Sequence, residues 1–314
     1  MFIIKFSTPW SHIDFNTRIG KFNNNKNYRY DFSDSCSVCD FWIIWGGIKK
    51  DAEKVLCPPQ NIIYITDEVH KERVFSKYFL NQFASVITSR KDVDHKHVIP
   101  CIHELNTWLI NRDFDFLISD NIIQKSKVIS VVCSDQTWLP GHKLRFAFVN
   151  KLIGHFKDKL DVFGRGFNPI DDKFDALAPY KYSVAIENSA TPGYFTEKIT
   201  DCYLANTMPI YYGCPDIADY FNPDSFLLIN PDDYKNSILK IEKLIEADTY
   251  QTISPILDIE KRKYLVKYHI FSKIPQILES EFSSSGKRKY VTIKNEALFI
   301  NRSLVRKLVN LILN

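Results

Sequence analysis

The chain has 314 residues, of which 45% are hydrophobic and 25% charged, with 23 Phe, 16 Tyr and 5 Trp. Composition so near the globular average excludes a disordered, collagen-like or disulfide-scaffold protein, and the length suits two domains. A formal net charge of +4 is too small for a dedicated nucleic-acid binder, so no nucleic-acid partner is expected.

In chain order, FIIKF (2–6), FWIIW (41–45), NIIYIT (61–66) and ASVIT (84–88) are short β-rich runs that predict strands. Between the last two, the spacing of Val74, Phe75, Tyr78, Phe79 and Phe83 predicts a helix over 70–83. Segments 22–27 and 31–39 read as loops. The second half is more regular. KVISVVCS (127–134) is a buried strand, 144–157 a helix, and LDVFG (160–164) a strand. YSVAIE (182–187) is a strand, followed by a helix from about 194 to 206, a strand at 208–213 and another at 226–230. Ile238, Ile241, Leu244 and Ile245 mark an amphipathic helix over 232–246. Alternating strands and helices imply parallel, doubly wound sheets.

The last segment differs. Residues 287–314 hold seven basic residues and one acidic residue, Glu296, so the rest of the chain is slightly acidic. From Glu296 onward, Ile300, Leu304, Leu308, Leu311 and Ile312 oppose Arg302, Arg306 and Lys307, the pattern of a basic amphipathic helix. Such a helix either lies on an anionic membrane surface or packs as a structural strap. No run reaches the roughly 20 apolar residues of a membrane span. MFIIKFSTPW lacks a basic region ahead of a long apolar stretch, so the expectation is a cytoplasmic protein, peripheral at most on the inner leaflet of the cytoplasmic membrane.

Seven scattered cysteines do not form a disulfide framework. Cys36 and Cys39 make a single CxxC without a second pair, so a structural metal site is not expected. The triplets DVD (92–94) and DFD (113–115) read as structural. No G-x-G-x-x-G, Walker A, H-E-x-x-H or G-x-S-x-G motif occurs.

Ligands in an open parallel sheet bind beyond the carboxyl ends of its strands. Three segments fall there: 134–145, 187–198 and 213–216. In the second, Glu187 and Asn188 end a strand, Pro192-Gly193 turns, and Tyr194, Thr196, Glu197 and Lys198 open a helix. A helix start offers free N–H groups and partial positive charge, which suits a phosphate. The dipole alone disfavours Lys198 there, so the lysine is either a solvated surface residue or a partner for an anion. Arg145, opening the preceding helix, would lie at the same sheet edge and could join Lys198 on a diphosphate.

At this point the sequence resembles glycosyltransferase family 10, the α-1,3/1,4-fucosyltransferases, and most of all the bacterial enzymes. The segments YKYSVAIENS, GYFTEKITDCYLANTMPIYYGCPDIADYFNPDSF and KVISVVCS…KLRFAFVNKL carry the resemblance, from about 126 to 270. It implies an α/β fold of the GT-B type, with two Rossmann-like domains facing a cleft and the basic amphipathic helix at the C-terminus. The expected division is an acceptor-binding domain over 1–125, a nucleotide-sugar domain over 126–282 and a tail over 283–314. It implies an inverting transfer of fucose from GDP-fucose to a hydroxyl of a cell-surface glycan of lipopolysaccharide or capsule type, with no tightly bound cofactor and no required divalent metal. By matched position Arg145 and Lys198 would hold the diphosphate, Glu197 the ribose, and Tyr194 and Asn188 the donor pocket, with Glu187 and Thr196 beside them. Asp135 stands where the family often has Asn. The family's general base is a Glu after a strand. Here NIIYITDEVH offers Asp67 by counting from Tyr64 and Glu68 by residue type, although both also suit a helix start. Transfer of a different sugar, or a non-catalytic nucleotide- or glycan-binding role, are the alternatives.

Overall fold

The computed structural model describes residues 1–24, 27–67, 73–101, 105–282 and 286–299. The chain divides into two compact units, 1–105 with 270–314, and 106–269. These boundaries differ from the expected 125/126 and 282/283 for physical reasons. Residues 106–125 pack with the second unit: Asn106 Nδ2 donates to Phe195 O at 3.0 Å, and Arg112 Nη1 pairs with Asp172 at 2.6 Å. Residues 270–282 return to the first.

The first unit begins β1 (Phe2–Ser7), α1 (Phe15–Ile19), β2 (Tyr28–Asp31), β3 (Phe41–Trp45), β4 (Ala52–Cys57), β5 (Ile62–Ile65), α2 (Lys77–Leu80), β6 (Ser85–Thr88) and β7 (Val98–Pro100). Six strands form a sheet in the order β2-β1-β3-β5-β6-β7, every pair parallel. β3 shows why. All five of its side chains are buried, so it is covered on both faces. Phe41, Ile43 and Trp45 enter one core, with Phe6 and Ile63. Trp42 and Ile44 enter the other, with Tyr64, Phe79 and Phe83. That is the two-residue period of a strand.

The expected helix over 70–83 is corrected to the single turn α2 at Lys77–Leu80; residues 73–76 are not helical, and 68–72 lie outside the described residues. The apparent stripe does not share one buried face. Val74 and Tyr78 are exposed, while the Phe75 ring lies under the guanidinium groups of both Arg73 and Arg90, at 4.8 Å each.

The second unit follows with α3 (Phe114–Ile118), β8 (Lys127–Val132), α4 (Pro140–Phe156), β9 (Leu160–Phe163), β10 (Tyr180–Ile186), α5 (Glu197–Leu204), β11 (Met208–Tyr212), β12 (Leu227–Leu228), α6 (Tyr234–Ala247) and α7 (Tyr250–Lys263). Its parallel sheet runs β12-β11-β10-β8-β9. The predicted elements are present here with shifts at their ends. α4 starts four residues earlier than its apolar stripe, because Pro140 is preorganised for the first helical turn.

The chain then returns to the first unit through α8 (Ile270–Glu281) and β13 (Lys289–Lys294). Ile270, Phe271, Ile274 and Leu278 of α8 fill the core over β1 and β3, each such side chain stabilising by roughly 1.5–3 kcal/mol when fully buried. β13 pairs antiparallel with β4, burying Ile293 opposite Glu53. The start of the basic tail is thus a strand, and residues 300–314, where most of the amphipathic pattern falls, lie outside the described residues. Among the described residues, no helix is long and apolar enough to cross a membrane.

Candidate functional site

In the second unit the strand order reverses between β8 and β10, since β9 lies on one side of β8 and β11 on the far side of β10. That reversal is where open α/β sheets leave a crevice. Three sequence-predicted segments meet there. Gly141, in the first turn of α4, approaches the end of β10 so closely that a Cβ would sit 1.8 Å from Asn188 O. This contact brings the start of α4 beside the β10–α5 loop.

Arg145, one turn further along α4, is 9% exposed. Its Nη1 donates to Asn188 Oδ1 at 2.7 Å and its Nη2 to Ser134 Oγ at 3.4 Å. Its Nε is buried with no hydrogen-bond partner among the described residues. A buried guanidinium with donor capacity left over is poised for an anionic oxygen.

The second cation is held by a different device. Glu187, 1% exposed at the end of β10, accepts from Thr196 N at 2.8 Å and from Thr196 Oγ1 at 2.7 Å. Thr196 caps α5. Lys198 Nζ lies 3.3 Å from Glu187, 3.4 Å from Glu197 and 3.1 Å from Thr196 Oγ1. Burial opposes a charged lysine here, but Glu197 and then Glu187 hold the ammonium protonated well above the usual lysine range. Arg145 is close enough to lower it, so the two cations feel one another. Burial also pushes Glu197 up, and Lys198 with Lys173 outweighs it, holding the carboxyl at about 2. Glu187 is raised by its burial, with Lys198 opposing.

The fold brings Arg145, Asn188, Thr196, Glu197 and Lys198 near one another. Glu187 and Tyr194 are different. Both are buried, at 1% and 3% exposure, and Glu187 works from beneath by positioning Thr196 and Lys198. Sequence reading missed Ser134 as a partner of Arg145. It also missed Lys173, which pairs with the buried Asp201 of α5 at 2.8 Å. Asp201 in turn accepts from Leu109 N at 3.2 Å. These partners lie 28 and 92 residues from Asp201, so no local spacing signals them. Gly213 leaves room for Glu187: a Cβ there would meet Glu187 Cγ at 2.4 Å.

In the first unit, Asp67 follows β5. Arg73 Nη1 donates to both its oxygens, at 2.6 and 2.7 Å, and Arg73 Nη2 also pairs with Glu296. Burial raises the Asp67 carboxyl, and Arg73 offsets part of that rise. Glu68 lies outside the described residues. The acidic triplets are structural: Asp113 caps α3, Asp92 pairs with Arg90 and Asp94 with Lys77. Cys36 and Cys39 are free thiols, and among the described residues no group of three His, Cys, Asp or Glu side chains is placed to hold a metal ion.

Residues 122–252 match the family described as "Glycosyltransferase family 10 (fucosyltransferase) C-term". Residues 122–252, about two fifths of the chain, are thus similar to the C-terminal part of that family. The family 10 match spans β8 to α6 and contains every residue of the switch-point site. The α-(1,3)-fucosyltransferase of Helicobacter pylori is 34% identical over 116 residues, 35% of this chain and 24% of that protein. A human 4-galactosyl-N-acetylglucosaminide 3-α-L-fucosyltransferase is 30% identical over 122 residues, 37% of this chain and 32% of that protein. The chain therefore matches only about a quarter to a third of the length of these relatives. A crystal structure of an α1,3-fucosyltransferase with GDP superposes with a TM-score of 0.50 at 18% identity, covering 86% of this chain and 92% of that one. An α-glucosyltransferase solved with UDP and a 13-mer DNA gives 0.51 at 9% identity, covering 89% and 100%. These likenesses establish the fold, two parallel α/β units of the GT-B type.

Proposed function

We propose that the chain is an inverting transferase that moves fucose from GDP-fucose to a hydroxyl of a cell-surface glycan of lipopolysaccharide or capsule type. The observation that carries this reading is the pair of cations, Arg145 and Lys198, set at the switch point within the family 10 match. The fucosyl activity of the relatives supports the sugar, and the GDP-bound neighbour suits the nucleotide.

In this reading Arg145 and Lys198 bind the diphosphate, Glu197 the ribose hydroxyls, and Asn188 and Thr196 line the pocket. The acceptor oxygen attacks the anomeric carbon from the face opposite GDP. The carbon–oxygen bond to GDP breaks, and its electron pair leaves with the diphosphate. The acceptor proton passes to a carboxylate, Glu68 or Asp67. Negative charge grows on the diphosphate as the bond breaks, and two fixed cations in a partly desolvated site stabilise it without reorganising. The same two cations make a divalent ion unnecessary.

Incubation with GDP-fucose, GDP-mannose, UDP-galactose and UDP-glucose, with and without EDTA, tests the proposal. Selective release of GDP from GDP-fucose, undiminished by EDTA, is expected. Selective turnover of another donor would replace fucose with that sugar. GDP binding without any turnover would favour a non-catalytic nucleotide-binding role.

We also place the protein in the cytoplasm, peripheral on the inner leaflet through its basic end, because 287–314 carries the chain's excess positive charge. Truncation at Ser285 is expected to abolish low-salt sedimentation with anionic vesicles. Undiminished sedimentation of the truncated protein would remove the tail from this role.

A further inference from the structure

The first unit has a switch point of its own. Its sheet order reverses between β1 and β3, with β2 on the far side of β1. A pocket of about 150 Å³ opens at the carboxyl end of β1, with no role in the donor site.

Its floor is a buried ion pair. Lys5 stands in β1 at 3% exposure. Its Nζ is 3.4 Å from Ser33 O and 3.6 Å from Glu53 Oε2. Both separations exceed the usual 2.7–3.2 Å of a nitrogen–oxygen hydrogen bond. An ammonium has three donors, so among the described residues this one keeps capacity for a further oxygen. Glu53 Oε2 also accepts from Ser7 Oγ at 2.9 Å, and Ser7 Oγ accepts from Trp42 Nε1 at 3.1 Å. A lysine at such a buried position is costly unless its charge is used.

The rim mixes signs. Lys49 contributes a second positive charge, against Asp14, Asp34 and Glu53. Asp34 is itself paired with Lys50 at 3.5 Å, so the charges balance and a phosphate or carboxylate would meet no excess of positive charge. A neutral polyhydroxyl ligand can donate to the carboxylates and accept from the ammonium. Trp10 supplies an apolar wall, with its ring packed edge-on to Trp45 at 4.6 Å between centroids. The volume equals the share of about five waters, which suits one pyranose ring. The pocket also adjoins the candidate base. Trp10 Cη2 and Asp67 Oδ2 lie 2.8 and 2.9 Å from the point a Cβ would take at Gly46. Gly46, at φ +71°, is thus a residue that lets the indole and the carboxylate converge.

We propose that this pocket is the acceptor subsite, holding one neutral pyranose ring against Trp10 with hydrogen bonds to Lys5 and Glu53. The proposal rests on the transferase reading above, and its test is kept separate from that reading. Saturation-transfer NMR on the full chain would use lactose and methyl β-galactoside as probes, with inorganic phosphate as competitor and GDP-induced thermal shift as an independent readout. Both sugars are expected to receive saturation from the wild-type chain, undisturbed by phosphate. Trp10→Ala and Glu53→Gln are expected to weaken sugar binding at least tenfold, while Trp10→Phe retains it and all three keep the GDP shift. No saturation transfer to either sugar, competition by phosphate, or undiminished binding in Trp10→Ala would overturn the assignment. If Trp10→Ala loses the GDP shift through misfolding, Trp10→Phe and Glu53→Gln decide: retention in the first with loss in the second supports the subsite, and any other pattern overturns it. A missing GDP shift in the wild-type chain sinks the donor reading instead, whatever the sugars do.

Discussion

Glu68→Gln is expected to cut turnover of GDP-fucose by about 10²–10⁴-fold, the usual contribution of a general base, and to leave the affinity for GDP unchanged. The effect falls on kcat because a carboxylate that accepts the acceptor's proton does its work only as the bond to carbon forms. Asp67→Asn is expected to cost less. Asp67 presents both oxygens to Arg73, which also pairs with Glu296. Each oxygen therefore already accepts from a cation, which makes the carboxylate a weaker acceptor for a proton that must come within about 3 Å. Steady-state kinetics of both variants, alongside calorimetric titration with GDP, give the comparison. A larger loss in Asp67→Asn than in Glu68→Gln would move the base to Asp67 and require Arg73 to release it.

Lys198→Ala and Arg145→Ala are each expected to lower kcat/KM by about 10²–10³-fold, the scale for removing one group that stabilises developing charge, and to weaken GDP binding as well. Lys198→Ala has a further consequence. It leaves Glu187, buried beneath α5, without its countercharge, so the variant is expected to melt at lower temperature than Arg145→Ala. If both cations serve one diphosphate, as proposed, the double variant should lose less than the product of the two single losses. Full multiplicative loss, or GDP affinity untouched in both single variants, would count against a shared anion site.

Much of the second unit was legible because its chemistry is local. Thr196, Glu197 and Lys198 sit together at one helix start, and Arg145 lies in the second turn of the helix that follows β8, the strand beside β10 in the sheet. Regular strand–helix alternation then predicts where both must point. The supports of that site were not legible. Lys173 and Leu109 reach Asp201 across the chain, and only the folded backbone brings them near. The first unit misled in a more instructive way. Val74, Phe75, Tyr78, Phe79 and Phe83 carry a helical period, but two arginines cap the Phe75 ring and leave Val74 and Tyr78 in solvent. Cation–ring stacking had taken the place of a buried stripe. The KYVTIK run was overshadowed by its charge, although Val291 and Ile293 alternate as a strand requires. The boundaries at 105/106 and 269/270 were hidden for the same reason as Lys173. They are set by which core a helix fills, and α8 fills the core of the unit the chain had left 164 residues before.

That return has a bearing on how the protein is made. Phe271 of α8 touches Phe6, Phe15, Tyr30 and Phe32, all of which leave the ribosome early. During synthesis these aromatic rings wait, uncovered on one face, until the whole second unit has emerged. The second unit, continuous in the chain, is free to fold first. The amino-terminal half is therefore the last to be completed, and it is the half that most needs protection from aggregation while the chain grows.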